Sequence, residues 1–589
     1  MSIVNNPRVY LWAALGALLL LDYQAWLRDY SAPGAAETAP AAAGHAAAAP
    51  ATDLSTQVPQ VSAPPAAATP GAASSSASSG TASSGAPAAA AASAAISGAA
   101  AALAPASAAG AAPLVHVRTD VLDLEINTRG GTLVRADLLA YPLVKGGATR
   151  VQLENDDSPE TLYELESGLV GPGSASYPTH LAAFESARSD YRMGRAAELR
   201  VPLSWTGADG VTVTKTYVLR RGDYRIGLDY EVHNGGSSDW RASPYTQILR
   251  NDPRTKTSYF NVASSAFHGP ALWDGDKYRK LNPTDAQDSH LSLEVTDGWI
   301  AAAQHYFVSA VVPPRGARYR FTLQVEGDRY LLAATGPEQT IAPGATGEFT
   351  QTLFVGPKLQ TQLEATSPNL GYVADYGHLW FLARPLFQAL AFVHRLTGNW
   401  GIAIIAVTFL LKLLFYPLSE ASGRSMAKMK TLGPRIKNLQ ETYADDREKL
   451  GRAMMELYKR EKVNPVAGCL PIVIQIPVFI AFYWVLLESA EMRQAPFVLW
   501  IHDLSSRDPY FILPAIMAVA MFVQYKLNPA PPDPVQAKMF MIMPIVMSAT
   551  FAFFPAGLVL YWVTNTILSI AQQWNINRRI AAAMAARKS

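Results

Sequence analysis

The sequence predicts a polytopic α-helical membrane protein with six transmembrane helices, joined to one large extracytoplasmic all-β domain. Three observations lead there. Apolar runs long enough to cross a bilayer crowd the C-terminal third, while residues 113–357 alternate apolar and polar side chains with the period of a strand. Between the second and third apolar runs lies a Lys/Arg-rich stretch, 419–464, which marks the cytoplasmic side.

Composition sets the frame. Of 589 residues 49% are hydrophobic and 16% charged, a membrane-like average for a chain too long for one ordinary soluble domain. The net charge of +2 identifies no partner. The single cysteine, Cys469, sits in an apolar run, so no intrachain disulfide forms and the β domain is held by its core alone; an extracytoplasmic location remains permitted.

Residues 1–30 contain an apolar core, 9–27, that follows Arg8 and ends at Trp26, Arg28 and Asp29. Its length and aromatic end favour an uncleaved signal anchor over a cleaved signal peptide. Residues 31–112 are almost wholly Ala, Pro, Ser and Gly, and are expected to be a disordered tether that carries no site. In the β-sandwich domain, 113–357, the segments 117–126, 211–219 and 224–232 each read as one strand, with turn signals at 127–131, 222–223 and 234–236. A two-sheet sandwich follows. His233, His268, His290 and His305 lack metal-ligand spacing and read as surface or core residues.

Residues 372–397 place Gly377, Arg384, Gln388 and Arg395 in one stripe among Trp380, Phe381, Leu386, Phe387, Leu390 and Phe392. This predicts an amphipathic interfacial helix, with packing against the β domain as the alternative and a break near Pro385. Spans are expected at 400–418, 466–487, 510–527, 539–554 and 557–570, making six crossings with the anchor. The basic loop, the basic tail 579–589 and the acidic 488–509 loop agree on two cytoplasmic termini and an outside β domain. Within 419–465, Met426, Met429, Ile436, Leu439 and Tyr443, then Leu450, Met454, Leu457 and Tyr458, predict a helical hairpin. Gly433-Pro434 would kink or restart its first arm, and Asp445 or Asp446 would cap its second. Its basic residues, Arg424, Lys428, Lys430, Arg435 and Lys437, either meet ribosomal RNA, acidic lipid or partner proteins, or are a solvated face with topological meaning only.

Lys412 poses the chemical question. A cation near the centre of a spanning helix costs about 2.5 to 3.5 kcal/mol on the lenient insertion scale. Either it snorkels to the headgroups, or it faces a wet, protein-lined space. Thr408 and Tyr416 would share its helix face, and other spans offer Gln475, Gln524, Ser548, Thr550, Tyr561, Thr564 and Asn565. These groups either line a hydrated cavity or glue helices together. Enzyme motifs are missing: there is no P-loop, no H-E-x-x-H, no G-x-S-x-G and no Asp pair within the C-terminal spans. A chain that is not an enzyme, with no metal, nucleotide or cofactor, is expected. A transporter fits poorly, because no repeated halves and no second buried charge are visible.

Several stretches resemble the YidC-type membrane protein insertases in their Gram-negative bacterial form. They are TDVLDLEINTRGG at 119–131, GNWGIAIIAVTF at 398–409, YPL at 416–418, SMAKMK at 425–430, EKVNPVAGC at 461–469, RQAPFVLWIHDLS at 493–505 and FPAGLVLYW at 554–562. The resemblance implies a periplasmic β-supersandwich, an interfacial helix, and a five-helix insertase core, 398–578, that includes the cytoplasmic hairpin and encloses a groove. It places Lys412 where the family usually carries Arg, and Thr408 and Tyr561 at groove positions; Gln475 joins them as a polar candidate, and Trp562 stands where a second Tyr is expected. The implied function is insertion and assembly of nascent membrane proteins in the bacterial inner membrane without nucleotide hydrolysis, beside the ribosome, Sec translocon components and membrane lipids. The alternatives are an assembly factor that inserts nothing alone, and a solute transporter.

Overall fold

The computed structural model describes residues 53–59, 112–172, 177–252, 266–443, 446–461, 470–527 and 534–586. The expected anchor 1–30, most of the tether and the last three residues lie outside them. The chain forms two compact units, one β and one helical.

The β unit has an eleven-stranded and an eight-stranded sheet, almost entirely antiparallel. Alternation is the reason. In Val211–Arg220 the residues Val211, Val213, Tyr217 and Leu219 turn into the shared core, and Arg225–Asn234 beside it does the same with Ile226, Leu228, Tyr230 and Val232. One expected strand is corrected. Residues 117–126 fold back as two strands, Leu114–Arg118 and Leu122–Asn127, with Val117 opposite Leu124. Thr119 makes the reversal: its hydroxyl oxygen accepts from the Leu122 amide at 2.8 Å, and its own amide donates to the Leu122 carbonyl at 2.8 Å.

The same alternation puts a lysine in the core. Lys215 is fully buried, and its ammonium donates to the carbonyls of Gly130 and Gly131, each at 2.8 Å, and of Ser167 at 3.1 Å. All three N–H groups are used. Burial pulls the Lys215 pKa down, and the charge of Glu166 opposes that pull. The turn they hold requires glycine, since Gly130 has φ +73° and a Cβ there would lie 2.1 Å from the His180 carbonyl oxygen.

The tether is also corrected, because residues 53–59 are not a bare spacer. Leu54 is buried with Leu162, Leu249 and Leu331 of the β unit.

In the helical unit, α1 (Gln360–Thr366) having closed the β unit, α2 spans Trp380–Thr397. It starts later than expected and runs through Pro385, whose missing N–H falls in the second turn and leaves the helix unbroken. Gly398, at φ +67°, ends it with its amide on the His394 carbonyl. Asn399 then starts α3 (Trp400–Leu414), its Oδ1 accepting from the Ile402 amide at 3.1 Å while its Nδ2 donates to the Phe497 carbonyl at 3.0 Å. Gly401 completes this joint, because a Cβ there would lie 2.0 Å from the Phe497 ring.

The expected span at 400–418 is broken. Pro417 cannot continue α3, so α4 (Tyr416–Thr431) restarts after a bend of 58°. Among the described residues no single helix is long and apolar enough to cross a membrane, whereas this bent pair qualifies by length and composition. The hairpin continues with α5 (Gly433–Thr442) and α6 (Arg447–Arg460), which share a small core of Leu432, Ile436, Met454 and Tyr458. Asp446 is the cap of α6, accepting from the amides of Glu448 and Lys449. Then come α7 (Leu470–Glu488), α8 (Ile512–Leu527), α9 (Pro534–Phe551) and α10 (Ala556–Ala586). The last is far longer than the expected 557–570 and carries Arg578 and Arg579, so the helix does not stop where the tail was expected to begin.

Two measurements test these packing statements. Glu154, fully buried, accepts from the Ser309 hydroxyl across the two sheets, and burial raises its carboxyl to about 7. In the unfolded chain it ionises near 4.5, so this group's stabilisation is complete below that pH and is lost as pH rises through 7. Glu154→Gln, which mimics the protonated form, should therefore melt progressively higher relative to the native β domain between pH 5 and 8; a constant difference would contradict the assignment. In the helical unit, Gly401→Ala should lose about 1 to 3 kcal/mol against Phe497 in a detergent melt. Gly451→Ala, exposed within α6 with open space where its Cβ would go, should gain about 0.5 to 1 kcal/mol.

Candidate functional site

The site begins with the end of α3. Because the helix stops at Leu414, Lys412 lies in its last turn rather than mid-span, and its side chain turns toward α10. There Nζ donates to the Ser569 hydroxyl at 2.8 Å. Ser569 donates in turn to the Asn565 carbonyl at 2.7 Å, and the Asn565 Oδ1 accepts from Gln475 Nε2 of α7 at 2.6 Å. Three helices thus share one chain of hydrogen bonds. Among the described residues no carboxylate lies within ion-pair distance of Lys412.

The space beside this chain is a cavity of about 30 Å³ lined by Thr408, Lys412, Phe415, Gln475, Tyr561 and Asn565, among others. That is room for a water or two. A polypeptide segment does not fit in this closed arrangement.

Of the five groove candidates, Lys412 and Gln475 enter the polar chain. Thr408 lines the cavity, but its hydroxyl donates to the Ile404 carbonyl of its own helix at 2.6 Å. Tyr561 is buried and stacks on Phe482, ring centroids 4.4 Å apart. Trp562, one residue further round α10, packs edge-on to Phe479 and beside Phe551, and is not among the residues lining this cavity. Of the other polar candidates, Ser548 ties α9 to α8 by donating to the Pro514 carbonyl, whereas Thr550 donates to the Val546 carbonyl of its own helix. Tyr416, expected on the face of Lys412, lies past the bend and accepts from Asn575.

Ser569 is the residue that sequence reasoning missed. Its signal was available: Tyr561, Asn565, Ser569, Gln573 and Asn577 recur every four residues, one polar stripe along α10. Gln573 donates to Asn577 within that stripe at 3.0 Å.

In the hairpin, Arg424 pairs with Glu420 at 2.5 Å one turn away, Arg435 with Glu461 of the facing arm at 2.6 Å, and Lys437 with Glu441 at 3.9 Å. The side chains of Lys428 and Lys430 lie outside the described residues. Opposite the hairpin in sequence, the 488–511 loop is fixed by two carboxylates. Asp508 accepts from Trp500 Nε1 at 3.1 Å and from the Leu513 amide at 2.7 Å, which caps α8, while Asp503 accepts from the amides of Gln494 and Ser505.

Two family models match the chain: "60Kd inner membrane protein" over residues 392–583 and "YidC periplasmic domain" over 114–389. A membrane protein insertase YidC of Thioalkalivibrio sulfidiphilus is 49% identical over 487 residues, covering 80% of this chain and 85% of its own. That of Bordetella petrii is 47% identical, covering 79% and 83%. A crystal structure titled as an active YidC insertase with the first transmembrane domain resolved aligns with 78% of this chain and 94% of its own, at 18% identity and a TM-score of 0.35.

Proposed function

This chain belongs to the YidC family of membrane protein insertases, and from that premise we propose that the cavity beside Lys412 is the closed state of the groove through which it works. Inserting a helix is favourable once its residues are buried, since Leu, Ile, Phe and Val each gain about 0.3 to 0.6 kcal/mol at mid-helix. The barrier lies in the polar tail that must cross hydrocarbon first. A space carrying one cation and several neutral hydrogen-bonding groups lowers that barrier by letting the tail travel partway in water, while the apolar segment slides out sideways. The observation that carries this reading is the Lys412–Ser569–Asn565–Gln475 chain, a cation held by neutral groups that an incoming acidic tail can replace. No nucleotide is hydrolysed by this chain in that cycle.

The remaining features take their places under the same reading. Six crossings include the N-terminal segment, both termini are cytoplasmic and the β unit is periplasmic. Exposed apolar side chains along α3, α8 and α9, such as Phe409, Leu413, Val519, Phe522, Ile542 and Ile545, support a lipid-facing surface. On α2, exposed Phe381, Phe392 and Leu396 beside exposed Gln388 and Arg395 support an interfacial position. The hairpin meets the ribosome or translocon components delivering the nascent protein. Arg435, bonded to Glu461, then holds the two arms together.

The test reconstitutes the chain in liposomes, adds a single-span protein with a short acidic tail, and scores protease protection. Lys412→Ala should reduce insertion by about 10-fold, the factor that a loss of about 1.4 kcal/mol gives, and Lys412→Arg should restore it. Equal insertion by native and Lys412→Ala chains would remove the cation from the mechanism. A native preparation that folds but inserts nothing would favour assembly of spans delivered by another translocon.

A further inference from the structure

The outer face of the eleven-stranded sheet is built in a way that its own strands do not explain. In Trp240–Asn251 the residue Ile248 points into the sandwich core, as do its cross-strand partners Leu165 and Leu332. Their neighbours Gln247, Leu249, Glu166 and Leu331 therefore share the opposite, outward face. An outward face ordinarily meets water, yet Gln247 and Leu249 are 0% exposed and Leu331 and Glu166 3%. Part of what covers them is residues 53–59.

That segment enters with its own shape. Leu54–Thr56 form one tight turn, the Asp53 carboxylate accepting from the Ser55 amide at 3.1 Å, and the Gln57 amide closing back on the Leu54 carbonyl at 3.2 Å. Leu54 drops between Leu162, Leu249 and Leu331. Two backbone carbonyls are then read by side chains of the sheet unit: Gln247 Nε2 donates to the Gln57 carbonyl at 3.2 Å, and His180 Nε2 lies 3.3 Å from the Ser55 carbonyl. His180 is set for that bond. Tyr245 OH accepts from the His180 amide at 3.0 Å and lies 2.7 Å from Nδ1, so its proton goes to Nδ1 and leaves the ring hydrogen on Nε2, facing Ser55. Burial, which lowers the His180 pKa to about 4, keeps the ring neutral in this role.

We propose that this outer face is a recognition site for an extended peptide, and that its resident ligand is the chain's own Asp53-Leu-Ser-Thr-Gln57 segment, held noncovalently and able to leave. An apolar anchor and two carbonyl-reading donors are the parts of a peptide site. Any segment of the same chemistry competes for it.

The experiment uses the full chain in detergent and a variant lacking residues 53–59, with a fluorescent peptide of sequence ATDLSTQVPQV as the probe. The peptide should bind the deletion chain saturably and the native chain far more weakly. A peptide with Asp at the position of Leu54 should bind the deletion chain about 10-fold or more weakly, since its anchor can no longer be buried. No binding to a deletion chain that melts like the native one overturns the proposal. Should the deletion chain fail to fold, limited proteolysis of native and Leu54→Asp chains serves instead: native protection at 53–59 that Leu54→Asp abolishes supports the site, and equal cleavage of both overturns it. A native dimer that the deletion converts to monomer would place the segment in a second copy and overturn the intrachain assignment.

Discussion

A cation among apolar helices must be bonded or hydrated, and the helical unit is arranged around that requirement. Lys412 reaches its acceptor only because α3 ends at Leu414 and Pro417 turns the chain away, which leaves the last turn of α3 facing α10. The acceptor exists only because α10 repeats a polar residue every fourth position. Close approach is permitted where the helices meet by residues without side chains: a Cβ on Gly423 of α4 would lie 2.7 Å from the Ile576 side chain of α10. Bend, stripe and glycine serve one contact.

The β unit faces the same requirement and meets it differently. Lys215 and Lys412 are both lysines without a carboxylate at ion-pair distance among the described residues. Lys215 is held by three backbone carbonyls and lies between 5.5 and 5.7 Å from the ring centroids of Phe184, Tyr217 and Tyr230, groups that cannot move without unfolding the turn at Gly130 and Gly131. Lys412 is held by one hydroxyl that rotates, beside a cavity. Fixed acceptors on every N–H make a structural cation; a single exchangeable acceptor leaves the other donors available to whatever enters.

What the sequence made legible follows from period. Alternation located the β domain and the residues of its core, and apolar length located the helices, because both patterns persist over many residues. Reversals and breaks were harder to read. Residues 117–126 shift their alternation by one residue at the turn, with Val115 and Val117 buried before it and Leu122, Leu124 and Ile126 after it, and a one-residue shift reads as easily as a bulge in one strand as a reversal between two. The break in 400–418 turned on Pro417 alone, and the length of α10 was hidden because its second half is polar rather than apolar. Of the site, Lys412 and Gln475 stood out as polar residues in apolar runs, while Ser569, a single small hydroxyl inside the expected 557–570 span, did not. The Asp53–Gln57 turn was invisible for a different reason: five residues in a low-complexity tract carry no periodicity, and their meaning lies in the sheet face that receives them.

The two cations also bear on why a lysine suffices at 412. Arg, whose planar fork carries five N–H donors, would draw more on the cavity's water than Lys does beside a single serine hydroxyl. Lys presents three donors on a flexible stem, one met by Ser569 and the others within reach of a cavity that holds a water or two. The cation is therefore satisfied without a carboxylate, and in the proposed groove the oxygens of an entering tail would replace a hydroxyl and water. Neutral groups give way to an acidic tail readily, whereas a resident carboxylate would have to be displaced from an ion pair in a low-dielectric site. For the proposed groove, a neutral partner is the one more easily exchanged.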